Sequence, residues 1–205
     1  MADELETNFT KIIWLPRHEE SKQIVHKYLT DITFFHHVVH GPSVWSLVDE
    51  LYENLATTSP VKVGQVSLLL ALLASTAFFW TEGDMHRMVF TSVSNANDLS
   101  KRWMAASLEV LEYSRFSCSE SLEDVQALII VAFLMANIVG LTSQARYLFS
   151  TATSVALQLS LHRIDYEYNT ELGAPVPNTV RAEIGRRVWW YLVATDWYAL
   201  QLSCP

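Results

Sequence analysis

Cysteine is almost missing from this chain: 205 residues carry two, Cys118 and Cys204, far apart in sequence. That excludes a disulfide framework and a cysteine-based metal site, which needs several ligands at short spacing. It fits a reducing intracellular compartment. Glycine is scarce as well, with six residues that form neither a GxGxxG run nor a Walker loop, so nucleotide chemistry has no local support. Basic side chains are the minority, 14 Lys and Arg against 22 Asp and Glu, for a net charge of −8. Phosphate neutralisation needs clustered Lys and Arg, so an extended DNA- or RNA-binding face is not expected. No serine or cysteine sits in a GxSxG-type elbow. The opening MADELETNFTK is acidic and polar, unlike a secretory signal.

What is abundant is apolar surface. Half the residues are hydrophobic and 12% are aromatic, enough for a substantial core. Val63 to Thr81 and Val125 to Ala145 lack charged side chains and approach the roughly 20 residues that span a bilayer. Both are interrupted by polar groups such as Gln65, Ser67, Gln126 and Asn137, so buried helices of a bundle without membrane contact are expected.

Helical periodicity dominates the chain, and no alternating pattern competes with it. A first helix follows Pro16, with Glu19 and Glu20 near its N-terminus and Ile24, Val25, Tyr28 and Leu29 on its apolar face. After a break at Gly41-Pro42, Ser43 is a plausible cap for a helix bearing Val44, Leu47, Val48, Leu51, Tyr52 and Leu55. The run VSLLLALLASTAFFW is apolar nearly all round and belongs in the centre. Leu99, Trp103, Ala106, Val110 and Tyr113 mark the next apolar stripe. Ser121 caps a buried helix over Leu122 to Val139, and Gly140 stops it. Ala145, Leu148, Phe149, Ala152, Ala156 and Leu159 form a further core face. A polar connection over about 165–178 leads to a last helix over about 180–202, with Ile184, Val188, Tyr191 and Leu192 inward. The fold class is all-α: a single irregular bundle of about seven helices.

Three clusters could carry chemistry. His36, His37 and His40 form an HHxxH group; on a helix, positions 36 and 40 share a face and could approach one metal ion or an effector. Structural or partly exposed histidines are the plain alternative. His162 precedes Asp165 and could be oriented by it, but loop anchoring accounts for the same residues. Arg186, Arg187, Trp189 and Trp190 could pair cations with indole faces and line a ligand pocket, or could simply pack. No enzyme is legible in these patterns.

Three pieces of the chain do carry a resemblance. SLEDVQALIIVAFL, with Ser121, Leu122, Gln126, Ala127 and Leu128, followed by VALQLSLHRID, with Leu159, Leu161, His162 and Arg163, resembles the middle homology region of fungal zinc-cluster transcription factors. EIGRRVWWYLVATDWYALQLSCP is similar to that family's signature through Glu183, Arg186, Arg187, Trp189, Trp190, Asp196 and Pro205. The segment from Leu15 to Val48 resembles the family's opening, and it places His40 and Pro42 on a His-x-Pro turn, which weakens the metal reading.

The resemblance implies a fungal-specific transcription factor regulatory domain over 15–205, its N-terminal part, preceded by a flexible segment over 1–14. It implies transcription regulation in the nucleus, on metabolic or secondary-metabolite genes, with Arg186, Arg187, Trp189, Trp190, Asp196, His162, Arg163 and His40 as effector or structural signature residues. Cofactors are not expected, because zinc would belong to a cysteine cluster that two cysteines cannot build. Ser160 and Cys204 depart from the family pattern. In the family, further helices pack on the last segment. Without them, apolar surface would favour self-association or pairing with another transcription regulator. A small-molecule effector is a further implied partner, and direct contact with nucleic acid is not. The alternatives are a stand-alone helical protein that dimerises with and modulates full-length regulators and, behind it, a helical enzyme using His162, Asp165 or the HHxxH group.

Overall fold

The computed structural model describes residues 12–166 and 178–203, with residues 196–203 described as helical backbone only. Among the described residues there are seven α-helices and no strand: α1 (His18–Lys27), α2 (Gly41–Ala56), α3 (Val63–Phe78), α4 (Val93–Phe116), α5 (Leu122–Val139), α6 (Ser143–Gln158) and α7 (Val180–Ser203). Short helical segments lie between them: a wide π turn at Tyr28–Ile32, single 3-10 turns at Thr33–Phe35 and Leu161–Arg163, and two 3-10 turns at Glu82–Arg87. Most of the predicted connection over 165–178 lies outside the described residues.

The centre is α3. It carries no charge, and Leu68 through Leu73 are all but inaccessible to solvent. Each buried leucine contributes roughly 1.5–3 kcal/mol relative to an exposed one. Around α3 pack α4 on one side and α5 on another, and α6 and α7 then lean on α5. By length and composition α5 could cross a membrane, but 67% of it is buried inside the bundle. Ser121 caps α5 with its hydroxyl, and Gly140, at φ 83°, ends it in a conformation that glycine adopts without strain.

The outer helices show where sequence periodicity misleads. Helix α4 turns Ala96, Ser100, Trp103, Ser107, Leu111 and Ser114 inward; of the expected stripe Trp103 is buried, Leu99, Ala106 and Val110 pack partly buried against the core, and Tyr113 is exposed. The reason is size: small serines let α4 approach α3 closely, and their hydroxyls find acceptors there. Ser100 donates to the Ala74 carbonyl at 2.7 Å and Ser107 to the Ser67 carbonyl at 3.1 Å. Helix α2 also starts earlier than Ser43. Gly41 and Pro42 open it, where proline loses no needed bond, and His40 is the extended residue before it.

Two buried polar groups tie the helices together. Asp124, at the start of α5, is 1% exposed. Its carboxylate accepts from Ser67 of α3 at 2.7 Å, from Ser114 of α4 at 3.0 Å, and from the Ser121 amide and hydroxyl at 2.9 Å. Gly64 makes room for this cluster, since a Cβ there would lie 2.1 Å from the Ser121 hydroxyl. The second group is Lys27, 6% exposed, which pairs with Asp31 at 2.9 Å and Asp84 at 3.0 Å. Burial opposes its charge, but the hydrogen bonds it donates to the two carboxylates outweigh that and raise its pKa.

Asp124→Ala strips three serines of their shared acceptor and removes a helix cap. It is expected to cost about 3 kcal/mol in urea unfolding, whereas the exposed Ser150→Ala stays within about 0.5 kcal/mol. Gly64→Ala should destabilise by about 1–3 kcal/mol, although alanine is the better helix former, because the new methyl collides with the Ser121 cap.

Candidate functional site

The family-like segments, distant in sequence, meet at the junction of α2, α5 and α7. The turn before α2 is held when the buried Gln126 of α5 donates to the Val38 carbonyl. Beside it His40 Nδ1 lies 2.9 Å from the Ser43 hydroxyl. Together with Leu122, Ile184 and Val44 these residues line a cavity of about 240 Å3. At its edge Arg181 of α7 grips Glu123 of α5 through two bonds of 2.7 and 3.2 Å. That guanidinium lowers the Glu123 pKa against the opposing effect of burial, and it holds the start of α7 on α5. Thr179 caps α7 by accepting from the Ala182 amide. The cavity is smaller than the usual range for drug-sized ligands.

A second junction fixes the other side of α7. The Arg186 guanidinium donates to Asp165 at 2.6, 2.9 and 3.1 Å and reaches Glu183 at 3.3 Å. The hydrogen bonds from Arg186 lower the Asp165 pKa. Arg187 pairs with Glu183 one helical turn earlier, at 3.1 Å. The His162 ring lies 5.6 Å from Trp189, and Arg163 covers the Tyr166 ring at 6.0 Å. Asp165 therefore serves Arg186 and not His162, and Arg186 and Arg187 bond to carboxylates and not to indole faces. A side chain with five fixed donors matches a carboxylate better than a ring when one is in reach. Trp190 is 66% exposed, while Val188 and Leu192 are buried. Asp196 lies on α7, but its side chain is outside the described residues, as are Cys204 and Pro205.

The HHxxH group is not helical. His37 has φ 52° and faces solvent, so His36 and His40 do not share a helix face. No group of three potential metal ligands occurs among the described residues. His36 is 4% exposed and sits among rings, 4.4 Å from Phe133 and 5.7 Å from Tyr191, with neither ring nitrogen hydrogen-bonded. Burial, aided by His37, pulls its pKa down to about 4.

Sequence reasoning missed Arg181, Glu123 and Asp124 as organising residues. Only Ser121 was expected as a cap; its SxxD spacing to Asp124 is that of a capping box, but nothing local announces bonds to α3 and α4. It also missed a larger groove of about 700 Å3 between residues 12–14 and α4.

Residues 23–201 match the fungal specific transcription factor domain, and the chain belongs to that family. It is 37% identical, over 90% of its length, to the probable transcription factor lepB of Aspergillus flavus. It is 29% identical over 95% of its length to transcription factor TAS2 of Pyricularia oryzae, and 29% over 93% to the agnestins biosynthesis cluster transcription factor AgnL11 of Paecilomyces divaricatus. The chain spans 33%, 25% and 28% of those proteins, respectively. No solved structure matches it.

The neutral His36 sets the first acid limb of stability. Below about pH 6.5 the unfolded chain binds a proton that the folded chain refuses until about pH 4, so stability present above 6.5 is lost as pH falls through that interval. Between pH 7 and pH 5 the unfolding free energy is expected to drop by about 1–2 kcal/mol from this residue. His36→Phe keeps the ring packing and should remove most of that drop; an undiminished drop in the variant would assign it elsewhere.

Proposed function

We propose that this chain is the regulatory part of a fungal transcription factor, acting in the nucleus and tuning secondary-metabolite or other metabolic genes in response to a small-molecule effector. The observation that carries this reading is the family match over 23–201, joined to likeness over nearly the whole chain to proteins named as transcription factors. The name of one of them ties it to a biosynthesis cluster, which supports the metabolic reading. The net charge of −8 supports regulation by contact with other proteins and not with DNA. The signature residues act structurally in this reading. Arg186 with Asp165, and Arg181 with Glu123, hold α7 in one packing, and an effector or partner that favours another packing would shift the population. The reading assigns no cofactor, no metal, no membrane contact and no catalytic role to the chain.

The second reading is a helical interaction protein that associates with itself or pairs with another regulator. Phe34, Phe35 and Trp190 favour it, since these large rings are exposed on one chain.

Disruption of the gene is expected to change the transcripts of a co-ordinated set of biosynthetic genes, measured by RNA sequencing under several nutrient conditions. Unchanged transcripts throughout would remove the regulatory reading. A concentration-dependent dimer in sedimentation, together with normal transcripts, would favour the second.

A further inference from the structure

The groove beside α4 has the make-up of a ligand site, and none of the signature residues Arg186, Arg187, Trp189, Trp190, Asp196, His162, Arg163 and His40 contributes to it. It holds about 700 Å3, inside the range of pockets that bury small organic molecules. One wall carries the exposed indole of Trp14, stacked on the buried indole of Trp103 with the rings 6.0 Å apart and 6° from parallel. Leu99, Val89 and Ala106 complete the apolar wall. Trp103 is buried in the core, whereas Trp14 is 60% exposed and is tied to it through the bond from Trp103 Nε1 to the Trp14 carbonyl, at 3.1 Å. An exposed indole braced from behind by a buried one offers a flat aromatic surface to a planar guest.

Charge narrows the class of guest. Glu20 also lines the groove, but it accepts the Arg17 amide at 2.9 Å and belongs to the start of α1. Glu109 lines it too and is engaged in an interaction of its own. Arg102 stands at the same wall, exposed, and no hydrogen bond or ion pair joins it to another described residue. A guanidinium next to an indole platform recognises a carboxylate or sulfonate carried on an aromatic ring system.

We infer that this groove binds a small amphipathic organic anion: an aromatic group seated on Trp14, which Trp103 backs from the core, with its acid on Arg102. The inference rests on the effector-responsive reading above and assigns the effector a place and a chemical class.

The test uses the full purified chain and two fluorescent probes: anilinonaphthalene sulfonate, and phenylnaphthylamine, which has a closely related ring system without the acid. One sulfonate per chain is expected to bind. Arg102→Ala should weaken it about tenfold and leave the neutral probe within about twofold. Trp14→Ala should weaken both, and Phe34→Ala, on an aromatic patch elsewhere, should weaken neither. Circular dichroism and sedimentation are run on the same samples. Sulfonate binding that ignores Arg102→Ala, or binding of both probes that ignores Trp14→Ala, overturns the inference. So does a dimer that dissociates on Trp14→Ala, which would give the groove to a second copy. Failure of the probes with an intact transcript response removes the groove and leaves the regulatory reading, while binding as expected without any transcript response does the reverse.

Discussion

The bundle depends on one buried carboxylate. Asp124 is at once the helix-start partner of Ser121 and the shared acceptor for serines of α3 and α4. A buried acidic group is costly unless its oxygens are satisfied, and here four donors satisfy it. The satisfaction requires three helices in one register. Gly64 keeps α3 slender where Ser121 approaches, and the serines of α4 keep that helix near enough to reach. Apolar burial supplies most of the stabilisation, but leucines tolerate sliding. The hydrogen bonds to Asp124 do not, and they define which packing of α3, α4 and α5 the apolar surface settles into.

Around that centre, charge pairs fasten elements whose apolar faces are narrower. Lys27 joins α1 to the Glu82–Arg87 turn through Asp84, Arg181 joins α7 to α5, and Arg186 joins α7 to the turn that follows α6. These joints are more exposed and more readily screened than Asp124, so α7 is held less tightly than the α3–α5 core. On the regulatory reading proposed above this is a useful division: a firm centre would carry an outer helix whose position an effector or partner could shift. It also accounts for the family-like residues falling at helix junctions: Arg186 and Gln126 set how neighbouring elements meet.

Much of the architecture was legible because burial and helical period agree. The α3 and α5 segments are apolar nearly all round, Ser121 and Gly140 bracket α5, and Val188 and Leu192 point inward as their spacing predicts. The α4 face was legible only in part: Trp103 was expected inward, but the serines beside it were not. Hydropathy ranks serine below leucine, whereas a close helix contact selects serine for its size and gives its hydroxyl an acceptor. The HHxxH spacing suggested a shared helix face, but the left-handed His37 breaks the helix that would have produced it. The Arg186–Asp165 and Arg181–Glu123 bonds span 21 and 58 residues, distances at which a single sequence carries no pairing signal. The groove at Trp14 and Trp103 was invisible for the same reason, because 89 residues separate its two indoles.

Native-state hydrogen exchange followed by NMR is the most direct test of this hierarchy. Amides of α3, α4 and α5 around Asp124 are expected to exchange slowest and to open together in rising denaturant, with α7 opening earlier and earlier still at high salt. Protection greatest in α7, or α4 opening independently of α3 and α5, would contradict the claim that the Asp124 cluster holds the bundle in register.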